Sequence, residues 1–210
     1  MRECKDYSNK FIVGYLGTHG LAHGLDFIIK SIKAIEDKDF HFLFIGDGAK
    51  KDELIALAKE LELTNISFLD PIAKDKMPEY LSLIDVALVP LKKSDTFKSV
   101  IPSKIFEAAA MQKPILLGVE GEAKRIVTTY NAGLAFKPEN RIDFLHKLLL
   151  LKENKELYKQ LQLGCIKLAQ DYNRKNLASK MLRELKRVVS YKKETRVIRE
   201  YGNLIIEAKV

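Results

Sequence analysis

An acid sits where an apolar helix is expected. In IPSKIFEAAAMQKPIL (101–116) Glu107 is set between Phe106 and the alanines at 108–110. One ionised carboxylate can accept a hydrogen bond from each of two adjacent hydroxyls, so at the edge of a cleft it suits a vicinal diol. The competing reading is an i, i+3 ion pair with Lys104 on a half-exposed helix, worth about 0.2–0.5 kcal/mol. The alanines favour the diol, because they let neighbouring backbone approach closely and a solvated helix does not need that. A second group lies in GTHGLAHG (17–24), where His19 and His23 alternate with glycines. Gly14, Gly17 and Gly20 are spaced G-x-x-G-x-x-G rather than the G-x-G-x-x-G of dinucleotide sites, although Asp47 does follow the second strand. The sequence has no G-x-x-x-x-G-K-[ST] phosphate loop and no G-x-S-x-G nucleophile turn. Asp37 and Asp39 form a D-x-D of the kind that holds a metal through phosphates. They precede a strand, at the rim away from ligands, and read as a solvated turn.

Positioning these residues takes a regular alternation of elements. FIVGYL (11–16), FHFLFIG (40–46), NISFL (65–69), DVALVPL (85–91), PILL (114–117) and GLAF (133–136) read as short apolar strands. Between them LDFIIKSIKAIE (25–36), KKDELIALAKELEL (50–63), KMPEYLSLI (76–84), 103–111 and 122–130 read as helices. That rhythm marks a parallel sheet covered on both faces, so the fold class is α/β with a doubly wound parallel sheet. Residues 141–200 add two or three lysine-rich amphipathic helices, and YGNLIIEAKV (201–210) is either a frayed tail or a strand. Ligands bind such sheets beyond the carboxyl ends of the strands. Those ends are 17–24, 46–50, 70–74, 90–103 and 118–122, richer in glycine and charge than the opposite rim. Within GDGAK (46–50), Asp47 is expected to cap the second helix from Lys50 onward.

The 210 residues, 47% hydrophobic and 30% charged, are enough for a real core and exclude a disordered chain. Cys4 and Cys165 stand far apart without metal-ligand spacing, which fits reduced thiols and a cytoplasmic location. No apolar run reaches the roughly 18–20 residues that span a bilayer. The net charge of +8 is uneven: residues 141–210 hold 17 Lys and Arg against 8 Asp and Glu, or +9, leaving −1 for residues 1–140. This argues against nucleic acid as a partner of the sheet. The basic helices at the end read either as a solvated face or as attraction to an anionic membrane surface.

Taken in order, GYLGTHGLAHGLD (14–26), FLFIGDGAKKDEL (42–54), ISFLDPIAKDKMPEYLSLIDVALVPL (66–91), IPSKIFEAAAMQKPIL (101–116) and GVEGEAKRIV (118–127) closely resemble one family. It is the C-terminal, donor-binding domain of retaining glycosyltransferases of the GT-B fold. The likeness is strongest to family 4 enzymes of bacterial surface-polysaccharide biosynthesis, such as lipopolysaccharide and capsule, and covers about residues 11–189. It implies a Rossmann-like half of a GT-B enzyme, residues 1–170, that takes a nucleotide-sugar, UDP-linked, as donor without metal or cofactor. Residues 171–210 then hold the closing helix that braces the N-terminal domain, and a basic tail. That N-terminal acceptor domain has no counterpart in these residues, so it is expected in cis or in trans, and this chain alone is expected to transfer nothing. A cytoplasmic protein, peripheral on the inner face of the cell membrane where its basic helices meet lipid, fits the same picture.

The resemblance also assigns residues. Glu107 matches the second acid of the family's E-x7-E motif and is implied to bind the nucleotide ribose. The first acid of that motif is Ser99 here, which puts the donor sugar in doubt and fits one altered at its outer hydroxyls, such as an N-acetylated deoxy sugar. The family's first loop usually brings Arg and Lys to the diphosphate. Here it brings His19 and His23, neutral near pH 7 at a reference pKa of about 6.5. His23 either donates a ring N–H to phosphate or caps the helix after Gly24. Positive charge remains from the helix starts near Gly24 and Ser103, and from Lys104 or Lys98. Gly17 and Gly20 shape the loop, the turn at Asp70, Pro71 and Ile72 touches the nucleobase through backbone, and Glu120 either faces the cleft or opens the next helix with Glu122. Two rivals stand: a non-catalytic partner-binding module derived from such a domain, and a sugar-nucleotide epimerase of related architecture.

Overall fold

The computed structural model describes Tyr7 and residues 9–200, with side chains described as far as Ser190. Cys4 and YGNLIIEAKV lie outside the described residues. Six strands run β1 (Phe11–Leu16), β2 (Phe40–Ile45), β3 (Ile66–Leu69), β4 (Val86–Pro90), β5 (Ile115–Gly118) and β6 (Gly133–Ala135). They pair in the order β3-β2-β1-β4-β5-β6, and every pairing is parallel. Helices α1 (Leu25–Ile32), α2 (Lys51–Glu60), α3 (Met77–Leu83), α4 (Lys104–Ala110) and α5 (Glu122–Thr129) alternate with them. Parallel crossovers are right-handed. Connections running outward to β3 and those running the other way to β6 therefore lie on opposite faces, as in a Rossmann-like doubly wound sheet. The direction reverses between β1 and β4, the neighbours at the centre.

The strands alternate almost nothing because both faces are covered. Phe40, Phe42 and Phe44 point to one face of β2 and Leu43 and Ile45 to the other, and all five are buried. The stripe Leu25, Ile28, Ile29 and Ile32 has helical spacing and is at most 2% exposed, each side chain contributing about 1.5–3 kcal/mol of burial. The helix begun by that stripe ends at Ile32, four residues before the end expected from periodicity. Past Ile32 the helix tightens into i, i+3 bonds, from the Ala34 amide to Ser31 at 3.2 Å and from the Ile35 amide to Ile32 at 2.9 Å, and the Asp37 carboxylate then accepts from the Asp39 amide at 2.9 Å in the turn before β2. Helix α4 is stopped by Gln112 at φ 55, where the Lys113 amide returns to the Ala108 carbonyl and Pro114 forbids continuation.

Three further helices follow: α6 (Arg141–Glu153), α7 (Lys155–Asp171) and α8 (Arg174–Glu200). Asn140 caps α6 by accepting from the Asp143 amide, and α6 packs beside α1. The thiol of Cys165 donates to the Ala132 carbonyl at 3.2 Å, and burial pushes its pKa up to about 12, so it is an inert core group. The chain divides into two compact units, Met1–Ala169 and Gln170–Val210. In the second, α8 exposes Leu177, Met181, Leu182, Leu185, Val188 and Val189. Among the described residues no helix is long and apolar enough to cross a membrane.

Candidate functional site

The carboxyl ends of β1, β2, β4 and β5 are tied together by backbone before any side chain is considered. The Gly17 amide donates to the Ile45 carbonyl and the His19 amide to the Asp47 carbonyl, both at 2.8 Å, while the His19 carbonyl accepts from Lys50 at 2.9 Å. This close seating needs glycine at position 46. With φ at 143, a Cβ there would lie 2.0 Å from the Gly17 carbonyl oxygen. Toward the other side, the Lys92 amide donates to Ala22 and the Leu91 amide to Gly118. Asp47 does not cap α2 as expected. Its carboxylate accepts from the adjacent Gly48 amide, and the start of α2 is held by backbone bonds from Lys50 and Lys51.

Lys104 leads α4 across this rim to β1. Its ammonium donates to the Tyr15 hydroxyl at 2.9 Å and stands 4.3 Å from the centre of the Tyr15 ring. Tyr15 in turn donates to the Thr18 carbonyl at 2.5 Å. Gly17 makes room, since a Cβ there would meet Lys104 Cε at 2.4 Å. Burial pushes the Lys104 pKa down to about 8, with Glu107 alone pulling the other way. The same burial, with Lys104 nearby, lowers His23 to about 4. His23 is half-buried beside the Tyr15 ring, its amide donating to the Gly20 carbonyl.

Glu107 is exposed on the same side of α4, one turn on, and accepts a 3.4 Å bond from the Ser103 hydroxyl. The i, i+3 ion pair with Lys104 is not formed, because the lysine turns to Tyr15 instead. Two of the three alanines make the close approach expected of them. Ala108 and Ala109 are 1% and 0% exposed and bring α4 down onto the sheet, on the side away from Glu107. With seven residues, α4 has too few aligned peptides for its start at Ser103 to act as a strong dipole, which leaves the charge to Lys104.

The remaining expected residues fall into other places. Ser99 ends a 3-10 turn, Asp95–Ser99, and its hydroxyl donates to Thr96. Lys98 is exposed and paired with Asp95 at 2.7 Å, which with Glu120 holds its pKa above the usual lysine value. Glu120 is half-buried after β5, next to Gly121, whose Cβ position falls 2.0 Å from the Lys98 carbonyl oxygen. Glu122 is engaged by Arg125 at 2.6 Å, so it belongs to α5. Ile72 is half-buried in the loop after β3. His19 is corrected: its ring is fully buried against Tyr15, Phe44 and Phe68, with neither nitrogen hydrogen-bonded. Burial first, then Lys51 and Lys104, lower its pKa to about 4. It points inward because its own amide and carbonyl are both taken by the second loop, and so it is no ligand donor.

Sequence reasoning passed over Tyr15, which reads simply as a core residue of β1. The available signal was a polar-tipped aromatic two residues before a glycine loop.

The family model of the group 1 glycosyl transferases matches residues 2–163. The chain belongs to the group 1 glycosyltransferase family. TuaH of Bacillus subtilis, a putative teichuronic acid biosynthesis glycosyltransferase, is 29% identical over 168 residues, 77% of this chain and 40% of TuaH. WcaI of Escherichia coli, a putative colanic acid biosynthesis glycosyl transferase, is 30% identical over 103 residues, 49% of this chain and 25% of WcaI. This group 1 glycosyltransferase chain spans less than half the length of the curated relatives it matches. Among solved structures, Alr3699/HepE of Anabaena in complex with UDP and glucose superposes with a TM-score of 0.76 at 17% identity, over 88% of this chain and 50% of that one. The C-terminal domain of the group 1 protein LpcC of Francisella tularensis superposes with a TM-score of 0.65 at 17% identity, over 81% of this chain and 89% of that domain.

Proposed function

We propose that this chain is the donor-binding, C-terminal half of a metal-independent retaining glycosyltransferase of family 4 type. The reaction moves a sugar from a UDP-linked donor to a polysaccharide or lipid-linked acceptor. The observation that carries this reading is the pairing, on one side of α4, of Lys104 over the Gly17 loop with exposed Glu107 one turn further on. A cation at the carboxyl end of β1, at the switch point, suits a diphosphate, and an exposed carboxylate beside it suits a ribose diol. The UDP complexes of Alr3699/HepE support a nucleotide-sugar in this fold, and the close length match with the LpcC C-terminal domain supports the reading as one half. An acceptor domain, in cis or in trans, completes the cleft, and the α8 stripe is the surface that braces it. Leaving-group stabilisation and positioning carry the chemistry, with the departing diphosphate taking the acceptor proton. The neutral hydroxyl of Ser99, where the family has an acid, fits a donor sugar altered at its outer hydroxyls. The basic terminal helices favour a cytoplasmic protein that meets the membrane peripherally.

Calorimetric titration of UDP tests the reading. Glu107 makes one long bond to Ser103, so Glu107→Ala should leave the melting temperature unchanged and weaken UDP by about ten-fold through loss of a charged hydrogen-bond partner. Absence of saturable UDP binding by the wild-type chain overturns it and favours a partner-binding module.

A further inference from the structure

We infer that Tyr15 is a positioning residue of the donor site: its hydroxyl couples the first loop to Lys104 and aims the ammonium at the diphosphate of a nucleotide ligand. The inference deepens the donor-site reading and rests on it for the identity of the ligand.

The Tyr15 side chain is 1% exposed, yet its hydroxyl is engaged on both sides, with the Thr18 carbonyl and with Lys104. A phenol has one proton to give. Burial holds Tyr15 protonated well above its ordinary range, so that proton is committed to Thr18 and the oxygen lone pair is left for the lysine. The direction of the chain is thereby fixed as ammonium to phenol to loop carbonyl. An ammonium has three N–H donors. Tyr15 takes one and steadies the head with its ring face, and two remain for an anion.

Four groups face Lys104: Tyr15 on β1, His19 and His23 in the first loop, and Glu107 on α4. Both histidines are neutral at pH 7, and Glu107 makes no ion pair with it. The lysine is therefore held in place by a neutral acceptor and keeps its charge available. A shift of the first loop would move the Thr18 carbonyl and the Gly17 gap together, and so would move the cation. Position and loop shape are read by one hydroxyl.

The test uses the full chain and two variants, Tyr15→Phe, which keeps the ring, and Lys104→Met. Wild-type affinity for UDP should fall as pH rises through about 8, where Lys104 gives up its proton. In Tyr15→Phe the UDP affinity should drop about ten-fold while that for uridine is unchanged, and the inflection should move below pH 8, because the charged form has lost its acceptor. Lys104→Met should abolish the inflection. Equal losses for UDP and uridine, or a wild-type inflection in Tyr15→Phe, overturn the inference. A readout that needs no ligand separates it from the donor-site reading. The Lys104 Cε resonance in the free protein reports its pKa directly, and an unchanged value in Tyr15→Phe refutes the coupling even where UDP fails to bind. If Tyr15→Phe does not fold, Thr18→Pro, which distorts the carbonyl that Tyr15 holds, should move the same resonance; no movement refutes the coupling.

Discussion

Two lysines sit over aromatic rings at opposite rims of the sheet, and their surroundings differ in one respect. Lys152 lies 4.9 Å from the Phe40 ring at the amino rim, bonded to Asp37 and, at 3.2 Å, to Asp39. Lys104 lies 4.3 Å from the Tyr15 ring at the carboxyl rim and is bonded to a phenol. Burial disfavours the charge of both. At Lys152 the two carboxylates outweigh it and leave the pKa raised, whereas at Lys104 nothing does and the pKa falls to about 8. The first is a closed structural contact that ties α6 to the turn before β2, and it corrects the expectation that Asp37 and Asp39 form a merely solvated turn. The second is a charge held by a phenol, with Glu107 acting on it without a direct ion pair. A cation matched inside the protein stabilises the fold; one matched by a neutral acceptor is free to meet an anion from outside.

Three experiments would break or sharpen that contrast. The largest effect is expected from Gly46→Ala, which removes the platform on which the Lys104 side depends. With its Cβ 2.0 Å from the Gly17 carbonyl, the loops must separate, and a loss of about 3 kcal/mol or more in urea unfolding is expected. A smaller loss would show that the first loop tolerates displacement.

Next comes the matched pair Lys152→Met and Lys104→Met. Removing Lys152 leaves two solvent-screened carboxylates without their cation and should cost about 0.5–1 kcal/mol. Removing Lys104 strands none, and should leave stability within about 0.5 kcal/mol or raise it, since a desolvated charge is relieved. Equal losses in the two variants would erase the distinction between the rims.

The smallest effect is in the pH dependence of thermal stability. His19 and His23 have folded pKa values near 4, below the ordinary 6.5. Between those values the unfolded chain binds protons that the folded one refuses, so stability is greatest above pH 6.5 and falls as pH drops toward 4. Lys104 acts at the other end. Between about 8 and 10.5 the unfolded chain again holds the extra proton, and stability rises with pH. The alkaline slope should vanish in Lys104→Met, and the acid slope should lessen in His19→Phe, both followed by melting temperature against pH.

The strands were legible to within a residue or so, because strands buried on both faces read as apolar runs. So was the placement of Glu107 on the helix that follows β4, with Ser103 at its start. What was not legible has a common cause. The end of α1 is a tightening into i, i+3 bonds that helical periodicity does not register, and Asp47 turns to its neighbour Gly48 rather than to α2. His19 and His23 look alike in GTHGLAHG, yet one ring is sealed in the core and the other is half-buried. Side-chain direction within a loop is set by which backbone groups the loop surrenders to its neighbour, and that neighbour is 28 residues away for the His19 amide and Asp47 carbonyl.

From sequence alone came the parallel α/β order, the rim at which a ligand is expected and the likeness to the donor domain of glycosyltransferases, since periodicity and motif order are properties of consecutive residues. Only the tertiary structure decided that Lys104 supplies the positive charge beside Gly17, and that Tyr15 holds it there. Those residues are 89 apart in the chain and 2.9 Å apart in space. Whether a buried lysine is paired or free depends on what the folded chain puts next to it, and no local pattern records that.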